Sequence, residues 1–152
     1  MKKLLTEWRK FLSEGTVKYS DKGGILKIKP SHIIISELEA LQGPLPEEAG
    51  RLSEEDLHIT LIHQSILKPF HEQIKNMELP IPPPINLDDE VWERESLDKK
   101  SWAVRLVNQD EMREYVGKIM ELLGSPNLDP EPERVFHISL ANLTGKPQDS
   151  VR

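Results

Sequence analysis

LHITLIHQ, Leu57–Gln64, returns with small changes as FHISLANL, Phe136–Leu143. Both stretches alternate like half-buried strands, because successive side chains of an extended chain point to opposite faces. In the first, Leu57, Ile59 and Leu61 share one face, and His58, Thr60 and Ile62 share the other. In the second, Phe136, Ile138 and Leu140 share one face, and His137, Ser139 and Ala141 the other. Each strand offers an apolar face to a core. Each also turns an imidazole and a hydroxyl, two residues apart, to the opposite side.

The surroundings of the two copies match as well. Ahead of His58 comes a strand over Ile25 to Lys29, then Ser31 as a helix cap. A helix follows over His32 to Gln42, its apolar stripe made by Ile34, Ile35, Leu38 and Leu41. A loop rich in Gly, Pro and acidic residues leads into the histidine strand. Ahead of His137 comes a strand over Trp102 to Val107, then Asn108 and Glu111 as a capping box. The next helix uses Met112, Tyr115, Val116, Ile119, Met120 and Leu123 and stops at Gly124. Another Gly- and Pro-containing loop follows. Lys27 and Arg105 fall at matching places, 31 and 32 residues before their histidines.

Between the copies lies LPIPPPI, Leu79–Ile85, whose prolines favour a stiff extended connection. The expected fold is α+β, a bilobal chain of two related strand–helix–strand repeats around a central cleft. It is one domain over residues 1–152, with lobes at about 1–78 and 85–152 joined near the prolines. Three further elements are expected. The first is a short helix carrying Leu4, Leu5, Trp8, Phe11 and Leu12 and ended by Gly15. The second is a helical stretch over Ser65 to Lys75, disturbed by Pro69. The third is a strand of mixed pattern over Ile85 to Arg94.

Brought face to face, His58, Thr60, His137 and Ser139 are equipped to attack a phosphodiester. One neutral imidazole takes a proton from the attacking hydroxyl, and the other, as imidazolium, gives a proton to the leaving oxygen. An unperturbed histidine titrates near pH ~6.5, so both forms are accessible near neutrality. Thr60 and Ser139 can donate to the non-bridging oxygens, where negative charge grows. Lys27 and Arg105 are candidates to hold the substrate's phosphate. The repeat leaves the two histidines formally equivalent as acid and base. Neither motif has a carboxylate at ligand spacing, so no metal and no cofactor is expected. Trp102 has core parity, while Trp92 and Tyr19 are left open as surfaces on which a base could stack.

Composition narrows the partners. A net charge of −6 argues against an electrostatic grip on duplex DNA, but not against a small anion in a local positive pocket. With no cysteine, thiolate nucleophiles and disulfides are excluded. No stretch approaches the ~20 apolar residues of a membrane span, and a cytoplasmic protein without a membrane partner is expected.

The paired His-apolar-Thr/Ser-apolar strands in a duplicated α+β chain resemble the 2H phosphoesterase superfamily, over about Gly24 to Leu143. That resemblance implies metal-free action on 2′,3′-cyclic phosphates, 2′–5′ linkages and related nucleotide phosphodiesters. It implies His58, Thr60, His137 and Ser139 as the site. The order GGILKIKPS, DLHITLI and a second His motif also resembles the phage anti-CBASS phosphodiesterases. That likeness implies a cyclic oligonucleotide second messenger as substrate, the nucleotide's own 2′-hydroxyl as nucleophile, and the host cytoplasm as compartment. Activity on RNA ends, as in 2′–5′ RNA ligase-like enzymes, is the alternative. A non-catalytic sponge for cyclic nucleotides is the rival of a different class.

Overall fold

The alternation of apolar and polar residues does resolve into strands, and they join into one sheet. The computed structural model describes residues 15–20, 23–126 and 134–151. The expected amino-terminal helix lies outside the described residues. The strands are β1 (Gly15–Tyr19), β2 (Leu26–Pro30), β3 (Gly50–Arg51), β4 (Ile59–Ile62), β5 (Leu87–Ser96), β6 (Lys99–Leu106) and β7 (His137–Asn142). Their order in the open sheet is β1-β2-β4-β7-β6-β5, with β3 paired to β7, and the pairings are antiparallel. The two histidine strands, β4 and β7, therefore lie side by side at the centre. The strands that precede them in each repeat, β2 and β6, flank them. The fold is α+β, and one sheet runs through both halves of the chain.

The helices are α1 (His32–Gln42), α2 (Gln64–Leu67), α3 (His71–Lys75) and α4 (Gln109–Leu122). Helix α1 carries Ile34, Ile35 and Leu38 into the core, and α4 carries Met112, Tyr115, Val116, Ile119 and Met120. Each follows the 3.6-residue period that puts one stripe against a sheet. Helix α1 touches β2 and also β7, whereas α4 touches β4. Each repeat's helix thus reaches the other repeat's central strand, and the two halves share one apolar cluster.

The seam between the halves is short: Ile59–Ile138 is its register pair. Next to it stand the pairs Ile28–Ile59 and Val104–Ile138. All four of these side chains are fully buried. Each such residue stabilises the fold by about 1.5–3 kcal/mol relative to exposure. A run of apolar cross-strand partners fixes the register, since a slip of one residue between β4 and β7 would turn one of the two imidazoles into the core.

Several details depart from the alternation. Ile62, expected on the histidine face, pairs with Leu26 across an irregularity beside Lys27 and is buried in the main core. Ala141, also expected there, pairs with Trp102 across a second irregularity and is buried with Trp102 and Ala49. A bulge shifts the pleat, and that shift cannot be read from a two-residue period. Strand β1 occupies a stretch after Gly15 that carried no strand expectation, and it pairs along β2. Ser31 makes no side-chain cap bond, and neither does Asn108. Asn108 instead donates from Nδ2 to the Pro84 carbonyl at 2.7 Å. The Tyr115 hydroxyl donates to the Pro80 carbonyl at 2.7 Å. Proline offers carbonyls but no N–H, so side chains of α4 and its cap fasten the connection. Pro69 falls in a 3-10 turn, Lys68–Phe70, that separates α2 from α3.

Candidate active site

Residues paired directly across a sheet point to the same side. Because Ile59 and Ile138 face the core, the residues beside them face away. One step of the same antiparallel register sets Thr60 across from His137 and His58 across from Ser139. The two histidines then stand on a diagonal of the seam, a separation of about 7–8 Å between Cα atoms. Lys27 pairs with Thr60, and Arg105 pairs with His137. All six residues proposed from the sequence therefore fall on one sheet face, and each is half-buried there.

Both imidazoles are held in the same way. His58 Nδ1 donates to the Asp56 carbonyl at 2.8 Å, and His137 Nδ1 donates to the Val135 carbonyl at 2.8 Å. A carbonyl only accepts, so each ring carries its proton on Nδ1 and keeps the Nε2 lone pair for other use. The two-residue backward reach is a consequence of the extended chain entering each strand. It orients both rings without any carboxylate.

The two surroundings differ. Burial lowers the His58 pKa, assisted by the Lys27 charge and opposed by the Asp56 carbonyl and carboxylate. His137 is pushed down to about 4, by burial first, then by the charges of Arg94, Arg134 and His58, against the Val135 carbonyl bond. Arg94 Nη1 donates to His137 Nε2 at 3.4 Å, a contact that requires the neutral ring. The same Nη1 donates to the Val151 carbonyl at 3.2 Å, and Val151 N donates to Ser101 Oγ at 2.6 Å. The chain beyond β7 thereby steadies Arg94. That segment is itself organised by fully buried Asn142, whose amide binds Lys146 O, Ser150 Oγ, and the backbone N–H groups of Thr144 and Gly145.

Trp92 completes the His137 side. Its ring meets that of His137 edge-on, with centroids 5.6 Å apart and planes at 90°. The Arg94 guanidinium lies 4.4 Å from the Trp92 ring centroid and that of Arg105 lies 5.3 Å from it. Arg105 also reaches Asp88 at 4.0 Å, and its Nε is buried without a hydrogen-bond partner among the described residues.

Arg94 and Arg134 were not among the candidates drawn from the sequence, and Trp92 was left open. The two-residue step from Trp92 to Arg94 within one strand was a legible signal that they share a face. Their approach to His137 depends on β5 pairing with β6, which local pattern does not specify. Tyr19 lies elsewhere: it pairs with Leu26, and its hydroxyl is 2.6 Å from His71 Nδ1. A groove of about 490 Å³ lined by Leu41, Pro44, Leu45, Pro46, Val91 and Trp102 contains none of the six proposed residues. Among the described residues no group of three or more His, Asp or Glu side chains is placed to hold a metal ion. No described helix is long and apolar enough to cross a membrane. Comparison with protein-family models, curated proteins and solved structures gave no match.

Proposed function

We propose that the protein is a metal-independent phosphodiesterase of the 2H phosphoesterase type, acting on cyclic oligonucleotide second messengers. The observation that carries this reading is the pair of identically tethered imidazoles, His58 and His137, on one sheet face with Thr60 and Ser139 between them. Two such repeats meeting across one seam support the bilobal arrangement of that family.

The unequal surroundings support a division of roles. His137, neutral, accepts on Nε2 the proton of the attacking hydroxyl as substrate displaces the 3.4 Å contact from Arg94 Nη1, the hydroxyl coming from the substrate's own ribose or from water. The oxygen forms a bond to phosphorus as the bond to the leaving oxygen breaks. His58 gives its Nε2 proton to that leaving oxygen. Thr60 and Ser139 donate to the non-bridging oxygens, and Lys27, paired with Thr60, balances their charge. A bound phosphate raises the His58 pKa by direct attraction, so substrate itself favours the imidazolium this step needs.

The test is incubation, in excess chelator, with a panel of cyclic di- and trinucleotides and 2′,3′-cyclic RNA ends. Turnover of the cyclic oligonucleotides is expected to survive chelation and to fall by about 10²–10⁴-fold in His58→Ala and in His137→Ala. Turnover of RNA ends alone would move the activity to the RNA-end class. One observation favours a sponge that binds without chemistry: burial lowers the pKa of both imidazoles and so favours their neutral forms in the absence of a ligand. Tight binding with no product from any member of the panel would establish that reading instead.

A further inference from the structure

We infer that the site has a second anion subsite, formed by Arg94 and Arg105 around Trp92, and that its ligand carries at least two phosphate groups. This deepens the proposed function and rests on its placing one phosphate between His58 and His137. The register sets the reacting phosphate on the β4–β7 seam, where Thr60 and Ser139 supply the donors. Arg105 stands one strand farther out, on β6, beside His137. Arg94 stands a further strand out, on β5, and reaches back to the same imidazole. Trp92 lies between them in the sheet. It pairs with Ala103, while Arg94 pairs with Ser101 on one side and Arg105 comes from the other. The indole is therefore covered by guanidinium groups and is a platform for them rather than for a base.

Charge balance points the same way. Arg134 acts on Arg94, His58 and His137, so like charges crowd this flank in a protein of net charge −6. Asp88 lies 4.0 Å from Arg105 at the edge of this flank. Planar guanidinium forks match phosphate oxygens in pairs, whereas the opposite flank has the point charge of Lys27. The second phosphate therefore binds on the His137 side, in line with the first and away from Lys27. Oligonucleotide backbones and inorganic polyphosphates share this chemistry.

The experiment measures binding of adenosine 5′-monophosphate, adenosine 3′,5′-bisphosphate, pyrophosphate and the dinucleotide pApA by calorimetry at fixed ionic strength. Wild-type protein is expected to bind pApA about ten- to a hundredfold more tightly than the monophosphate. Arg105→Gln should bring that ratio close to one, and Arg105→Lys should restore part of it. Trp92→Leu should lower it, and Trp92→Phe should lower it less. The monophosphate's own affinity should change by much less than the ratio. Pyrophosphate binding as tightly as pApA would assign the subsite to inorganic polyphosphate. Equal affinity for one and two phosphates, or a ratio indifferent to Arg105→Gln, would overturn the inference. A persistent ratio in a protein that turns over nothing would sink the catalytic reading and leave the subsite standing. Turnover without a ratio would do the reverse.

Discussion

His58 and His137 sit in the same strand motif, with the same Nδ1–carbonyl tether, yet in different electrostatic settings. His58 feels Lys27 from β2, an opposing carboxylate from Asp56 and, more weakly, Arg134. His137 is pressed by Arg94 at its Nε2, by Trp92 at its ring and by Arg134. The difference comes from the outer strands. On one flank β1 adds a short edge to β2, while on the other the long β5 brings Trp92 and Arg94 over β6. Two strands with the same motif thus have unequal surroundings, and in the proposed reaction that inequality divides acid from base.

The largest effect should come from splitting those roles. His58→Ala and His137→Ala are each expected to lose about 10²–10⁴-fold in turnover of an alkyl phosphodiester. A p-nitrophenyl ester, whose leaving group needs no proton, should restore most of the loss in His58→Ala and little in His137→Ala. Equal rescue of both variants would show that the halves are not divided in this way.

A smaller effect concerns stability. The His137 pKa lies at about 4 in the folded chain, below the ~6.5 of an unfolded histidine. Between those values the unfolded chain binds more protons, so stability is full above pH ~6.5 and falls as pH drops toward 4. The loss is at most about 3–4 kcal/mol, reduced by the ring's partial exposure. Urea melts across that window should show it. His137→Asn should flatten the curve more than His58→Asn does.

The smallest effect is a titration shift. Arg94→Gln should raise the His137 pKa, and Lys27→Gln should raise that of His58, each by about one unit or less. Histidine ring proton shifts followed by NMR would read both. A shift of the wrong histidine in either variant would break the assignment of cations to halves.

Much of this was legible in the sequence. Parity alone separated Ile59 and Ile138 from His58 and His137, because one face of each strand had to be apolar. The matched frames set Lys27 and Arg105 at equivalent places, so that once β2 and β6 flank the histidine strands both fall on that face. Two things were not legible. Bulges beside Lys27 and Trp102 moved Ile62 and Ala141 into cores, since pleat irregularities leave no mark on a period-two pattern. The cations around His137 escaped notice because Arg94 depends on which strand lies beside β6. Its tether to Val151 closes over 57 residues and has no local signature.

The hydrogen bond from Arg94 to Val151 has a practical meaning. A carboxypeptidase that trimmed the chain past Val151 would leave every strand of the sheet in place. It would also unhook one guanidinium from its stay and take the Val151 N–H from the buried Ser101 hydroxyl, so a preparation trimmed there would misreport the acidity of His137.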